Sequence, residues 1–118
     1  MVYGKIRHQP SAISHQKKMI THIVQWKVKD QALDLDKGGI LKKMKASLEA
    51  LTECIEEVIS LQVGLNEKPS DVASDIVLLT TFADWDALNR YQVHPEHVKA
   101  GVFIKEVATE RRVVDFEH

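Results

Sequence analysis

The 118-residue chain has one cysteine, Cys54, so no internal disulfide can staple it. It has no apolar stretch approaching the roughly 18 residues that a membrane-spanning helix needs. It lacks a large charge of either sign, since 16 basic and 17 acidic side chains leave a net charge of −1. A protein held on nucleic acid mainly by phosphate contacts needs a basic excess, so nucleic acid is not an expected partner. No GxSxG elbow is present. Gly38-Gly39 precedes a helical pattern but follows no suitable strand and lacks the Lys-Ser/Thr of a phosphate loop. What remains is an ordinary soluble balance, 44% apolar and 28% charged, at the length of one domain. A cytoplasmic protein is expected.

The charge is unevenly spread. Residues 1–19 carry Lys5, Arg7, Lys17 and Lys18 and no acid, whereas the remainder carries 12 basic and 17 acidic side chains. The arm has Gly4 and Pro10 as breakers, no sustained period, and no apolar block of the roughly 7–15 residues that a secretory signal contains. Residues 1–18 therefore read as a flexible basic leader or tag-like extension, with a targeting peptide or an oligomer contact as alternatives. The domain is expected to span 19–118.

Within it, ITHIVQWKVK (20–29) alternates as a strand, with Ile20, His22, Val24, Trp26 and Val28 on one face. His22 is the sole polar intruder there, and a buried imidazole needs a hydrogen-bond partner. Leu41, Met44, Leu48, Leu51 and Ile55 then recur at helical spacing, and Cys54 near the end reads as a small buried hydrophobe. VISLQVGLN (58–66) alternates as a second strand with Ile59, Leu61, Val63 and Leu65 together. NEKPSDVAS supplies loop chemistry around Pro69. DIVLLTTF (75–82) is apolar on both faces, as a central strand covered on both sides would be.

Asp84 is placed to cap a short helix, and His94-Pro95 breaks it. Pro95 opens a second helix to about Thr109, with Val98, Val102, Phe103, Val107 and Ala108 as its apolar set. RRVVDF (111–116) closes as a fourth strand. The order β-α-β-β-α-β predicts an α+β, ferredoxin-like fold with a four-stranded antiparallel sheet and both helices on one face. Ile23 and residues of the second and third strands stay on the other face. That predicts homodimerisation through the open sheet, as a dimeric α+β barrel.

Chemistry concentrates in Tyr91-Gln92-Val93-His94-Pro95-Glu96-His97. Histidine moves protons near neutral pH, and tyrosine can orient a substrate oxygen. The same run also suits a plain capped helix break, with His94 bonded to backbone. His94, Glu96 and His97 match no closed zinc pattern and no HExxH helix, so neither metal nor cofactor is expected.

The run YQVHPEHVKAGVFIKEV, with the opening THIVQWKVKD and the closing RRVVDFE, resembles the stress-responsive A/B barrel (Dabb) family. LQVGLN and FADWDALNRY sit where that family has its second strand and helix approach. The resemblance implies a dimeric α+β barrel with a cavity between sheet and helices, and many members have no assigned reaction. In one plant branch that closes linear polyketides without a cofactor, the motif's second histidine is the base and its tyrosine assists. By that resemblance the catalytic candidates are His97 and Tyr91, with His22 facing the pocket from the first strand. Val24, Trp26, Leu78, Thr80 and His94 are the expected ligand-pocket residues. The functional expectation is a Dabb-type protein of unassigned role with a small-ligand pocket. Its alternatives are a cofactor-independent acid–base enzyme, cyclase-like or oxygenase-like on a carbonyl or phenolic substrate, and a non-catalytic stress or binding module.

Overall fold

A computed structural model describes residues 18–118, so the leader expected over 1–18 lies almost wholly outside the described residues. The elements are β1 (Ile20–Val28), β2 (Gln31–Ala32), β3 (Leu35–Asp36), α1 (Lys37–Glu49), α2 (Leu51–Cys54), β4 (Ser60–Leu65), β5 (Ile76–Phe82), α3 (Trp85–Val93), α4 (Pro95–Val107) and β6 (Ala108–Glu117). The main sheet runs β4-β5-β1-β6 with every pairing antiparallel, the ferredoxin-like order. The expected β-α-β-β-α-β succession stands, with one addition, the small β2–β3 hairpin.

Alternation in β1 works as the sequence predicts. Ile20, His22, Val24, Trp26 and Val28 are buried beneath the helices, and Thr21, Ile23, Gln25 and Lys27 face the other way. In β5 the inward set is Ile76, Leu78, Thr80 and Phe82. Within one chain its outer face is half covered, Leu79 being 37% exposed. Antiparallel register aligns Ile23 with Leu79 on one side and Val114 on the other, so an apolar band crosses the outer face. Val114 and Phe116 in that band are exposed.

The helices begin at side-chain caps. Asp36 accepts from the Gly39 amide at 2.8 Å, and Asp84 accepts from the Ala87 amide at 2.8 Å. Three expectations need correction. Cys54 is exposed, because Leu51 and Ile55 take the inward positions of that turn. Ile59 and Leu65 are exposed because they lie just before and at the end of edge strand β4, while Val63 between them is buried. On α4 the inward residues are Ile104 and Val107, whereas Val98 and Val102 face solvent. The cap at His94 fixes that helical phase.

The β2–β3 hairpin escaped the sequence reading because two-residue strands show no alternation. Its central residues Leu33 and Asp34 have φ of 52° and 64°, the left-handed pair of a tight hairpin that Asn and Gly favour. Leu33 holds this conformation while 56% exposed, so its side chain gains little from burial. Leu33→Asn is expected to raise unfolding stability by about 0.5–1 kcal/mol, read from the urea midpoint. A lower midpoint contradicts the strain assignment.

Candidate functional site

The His94-Pro95 junction sets the geometry of the site. Helix α3 ends with the His94 amide donating to the Tyr91 carbonyl at 3.2 Å. The His94 ring then caps α4, its Nδ1 accepting from the Glu96 amide at 3.1 Å. Pro95 fits the first helical turn because its missing N–H would have no helical acceptor there. The chain thus turns between two capped helices and swings the third residue of α4, His97, back over Tyr91. Their ring centroids lie 4.6 Å apart.

Tyr91 is fully buried and sits at the centre of an aromatic cluster. Phe82 lies 4.8 Å away and His22 6.1 Å away, both centroid to centroid. His22 Nδ1 is hydrogen-bonded to the Asp115 carboxylate, and β1–β6 register places the two residues directly opposite each other. A carboxylate only accepts, so Nδ1 carries the proton of this hydrogen bond. The sequence reading found His22 and its need for a partner but missed Asp115. The available signal was alternation in RRVVDF, which puts Arg111, Val113 and Asp115 on one side.

A cavity of about 170 Å³ opens between sheet and helices beside these groups. His22, Val24, Trp26, Leu78, Tyr91 and His97 line it, as the sequence reading grouped them, and Leu48, Leu51 and Ile104 complete the apolar wall. Two expected pocket residues are elsewhere. Thr80 is buried with its hydroxyl donating to the His22 carbonyl at 3.1 Å, and His94 is occupied as the cap. A larger depression, about 670 Å³, lies over the β2–β3 hairpin and brings together no histidine or aromatic group. Among the described residues no three His, Cys, Asp or Glu side chains are grouped to hold a metal ion.

Helix α4 offers the cavity its small residues. Ala100 and Gly101 line it, and a Cβ built on Gly101 would meet nothing within 4 Å. A glycine inside a helix costs about 0.5–1 kcal/mol relative to alanine, and no neighbour here requires its lack of a side chain. Its effect is to leave room.

The polar groups around this space are poised and incompletely paired. The Tyr91 hydroxyl and the Trp26 indole N–H are buried without a hydrogen-bond partner among the described residues. Each such orphan costs about 1–3 kcal/mol unless something accepts its proton. Burial pushes the Tyr91 phenol up to about 12, so it is a neutral donor at physiological pH. Burial also pulls His97 below the ordinary imidazole value, with His22, Arg111 and His94 adding to the effect and a backbone hydrogen bond to Gln92 opposing it. His97 is therefore a neutral base near pH 7.

The described chain matches the stress responsive A/B barrel (Dabb) domain over residues 20–118. Among solved structures it is similar to a dimeric ferredoxin-like protein of unknown function from Bacteroides fragilis. That similarity has 34% identity and a TM-score of 0.76, covering 85% of this chain and 96% of that one. It is also similar to a Dabb family protein with a ferredoxin-like fold from Mesorhizobium loti, at 24% identity and a TM-score of 0.61, covering 85% and 96%. A hydroxynitrile lyase from Passiflora edulis shares the fold at 14% identity and a TM-score of 0.75, covering 87% and 95%. Among curated proteins there is no significant match. The chain belongs to the Dabb family.

Asp115→Ala is expected to lower stability by about 1–3 kcal/mol by stranding the buried His22 Nδ1, and Asp115→Asn, which keeps an acceptor, to restore most of it. Equal losses in both variants contradict the pairing. For His97 the folded state favours the neutral ring, so its contribution is present above the unfolded value and is lost as pH falls through the lowered folded value. NMR titration is expected to place the His97 midpoint below about 6.5, and a midpoint above it contradicts the burial argument.

Proposed function

We propose that this member of the Dabb family binds a small carbonyl compound in the cavity beneath α4 and moves a proton at the carbon beside that carbonyl. The observation that carries the reading is the Tyr91 side chain, which lines a largely apolar cavity with its ring 4.6 Å from that of His97 and its buried hydroxyl without a partner among the described residues. An oxygen acceptor that reached the Tyr91 O–H would satisfy it. A cavity of roughly 150 Å³ takes a benzene-sized molecule, so a single ring or its equivalent matches the space.

The reaction needs no cofactor. A ring nitrogen of His97 takes the proton from the α-carbon, and the C–H electron pair becomes the enolate. The enolate oxygen accepts the hydrogen bond from Tyr91, which strengthens as charge develops there. His22, held by Asp115, presents a second imidazole to the same space. Returning the proton from His97 to the carbon completes the cycle.

Two further parts belong to this reading. The working unit is a homodimer joined through the outer sheet face, supported by the apolar band of Ile23, Leu79 and Val114 and by the dimeric state given for the Bacteroides fragilis relative. No helix of the described residues is long and apolar enough to cross a membrane. A lone exposed thiol at Cys54 suits a reducing compartment, and cytoplasmic residence goes with it.

Phenylacetone in D₂O tests the chemistry. The protein is expected to speed deuterium uptake at the carbon between ring and carbonyl. His97→Ala should cut the enhancement about 100-fold or more, and Tyr91→Phe by a similar factor. Gly101→Val, which fills the open space beside α4, should abolish binding while the protein stays folded. Binding with no exchange reduces the site to a binding module. Equal exchange with and without His97 overturns its role as base.

A further inference from the structure

The wall of the cavity changes character toward solvent. Its inner part is built from buried Val24, Trp26, Leu78 and Tyr91. The last two contributors, Lys105 on α4 and Arg111 on β6, are exposed and so mark its mouth. They reach it from opposite sides. Lys105 lies one turn beyond Gly101 on the same helical face, and Arg111 stands directly opposite Trp26 in the β1–β6 register. Among the described residues neither cation takes part in an ion pair, whereas Lys37, Lys45, Arg90 and Arg112 each have a carboxylate within 4 Å. The acid nearest along β6 on this face, Asp115, is engaged by His22.

Two cations without an ion-pair partner among the described residues therefore flank the entrance of a pocket that has no acid in its lining. The two cations at the mouth, with no acid in the lining, call for an electron-rich oxygen group there. From this we infer that the ligand is bipolar in shape: a carbonyl reaching Tyr91, an apolar ring-sized body, and a negatively charged oxygen group held at the mouth by Lys105 and Arg111. This rests on the reading of the cavity as a carbonyl site and adds the substrate class, an anionic carbonyl compound. The anion fixes which way round the ligand enters. It also supplies binding energy away from the reacting carbon, the usual means of positioning a small substrate.

Para-substituted benzaldehydes separate the parts. 4-Formylbenzoate and 4-formylphenyl phosphate carry the carbonyl at one end and an anion at the other, and methyl 4-formylbenzoate has the same body without charge. Calorimetric titration of the full chain is expected to show at least one anion binding about 10-fold or more tighter than the ester. The preference should shrink as salt is raised. Whichever anion binds tighter identifies carboxylate or phosphate as the group. Lys105→Gln with Arg111→Gln should erase the preference and leave ester binding intact. Both residues are exposed, so melting temperature serves as the control for folding. If the ester binds wild type as tightly as both anions, the anionic class is overturned while the carbonyl site stands. If the preference persists in the double variant, the assignment to these two cations is overturned. If neither anion nor ester binds, both the inference and the cavity reading fall.

Discussion

A buried imidazole on a β-strand must be answered by a partner, and in this protein that demand organises the site. His22 occupies the only polar position on the inward face of β1, and Asp115 is its answer from the adjacent strand. Register makes the pairing specific. A slip of one residue between β1 and β6 would turn Asp115 to the opposite face and leave His22 stranded. The same register carries Arg111 to Trp26 at the cavity mouth. One strand pairing thus fixes both the inner polar cluster and its charged rim.

The cavity reads as a place where stability has been given up. Among the described residues the buried Tyr91 hydroxyl and Trp26 N–H have no partners, and Gly101 leaves space in the middle of a helix where alanine would fit. The orphaned donors cost about 1–3 kcal/mol each and the helical glycine about 0.5–1 kcal/mol, and each concerns a residue of the same wall. Departures from local consistency collected around one space are the signature of a site rather than of a core. A ligand oxygen that accepts from Tyr91 offsets the cost when it binds.

Much of this was legible in the sequence because period and punctuation are local. The alternation of β1 isolated His22, and the Asp84 and His94-Pro95 signals located the helix break that carries His97 over Tyr91. The strand order followed from the succession of elements. What escaped depended on distant partners or on helical phase. The inward face of α4 is set by the cap at His94, so Ile104 faces in while the apolar Val98 and Val102 face out. Apolar character alone could not tell them apart. Cys54 was misplaced for the same reason. Asp115, Lys105 and Arg111 became visible as site residues only when the β1–β6 register and the position of α4 were known. His94 and Thr80, grouped with the pocket by proximity in sequence and strand, serve instead to hold the helix start and the β1 backbone.

The central claim is that the cavity holds a carbonyl oxygen against the Tyr91 hydroxyl. Carbonyl-carbon NMR of 4-formylbenzoate, labelled with carbon-13 at the aldehyde, reads that contact directly. Binding to the wild-type protein should move the resonance downfield, and Tyr91→Phe should return the bound ligand toward its position in an apolar solvent. A bound-state shift that is the same with and without the Tyr91 hydroxyl would contradict the account.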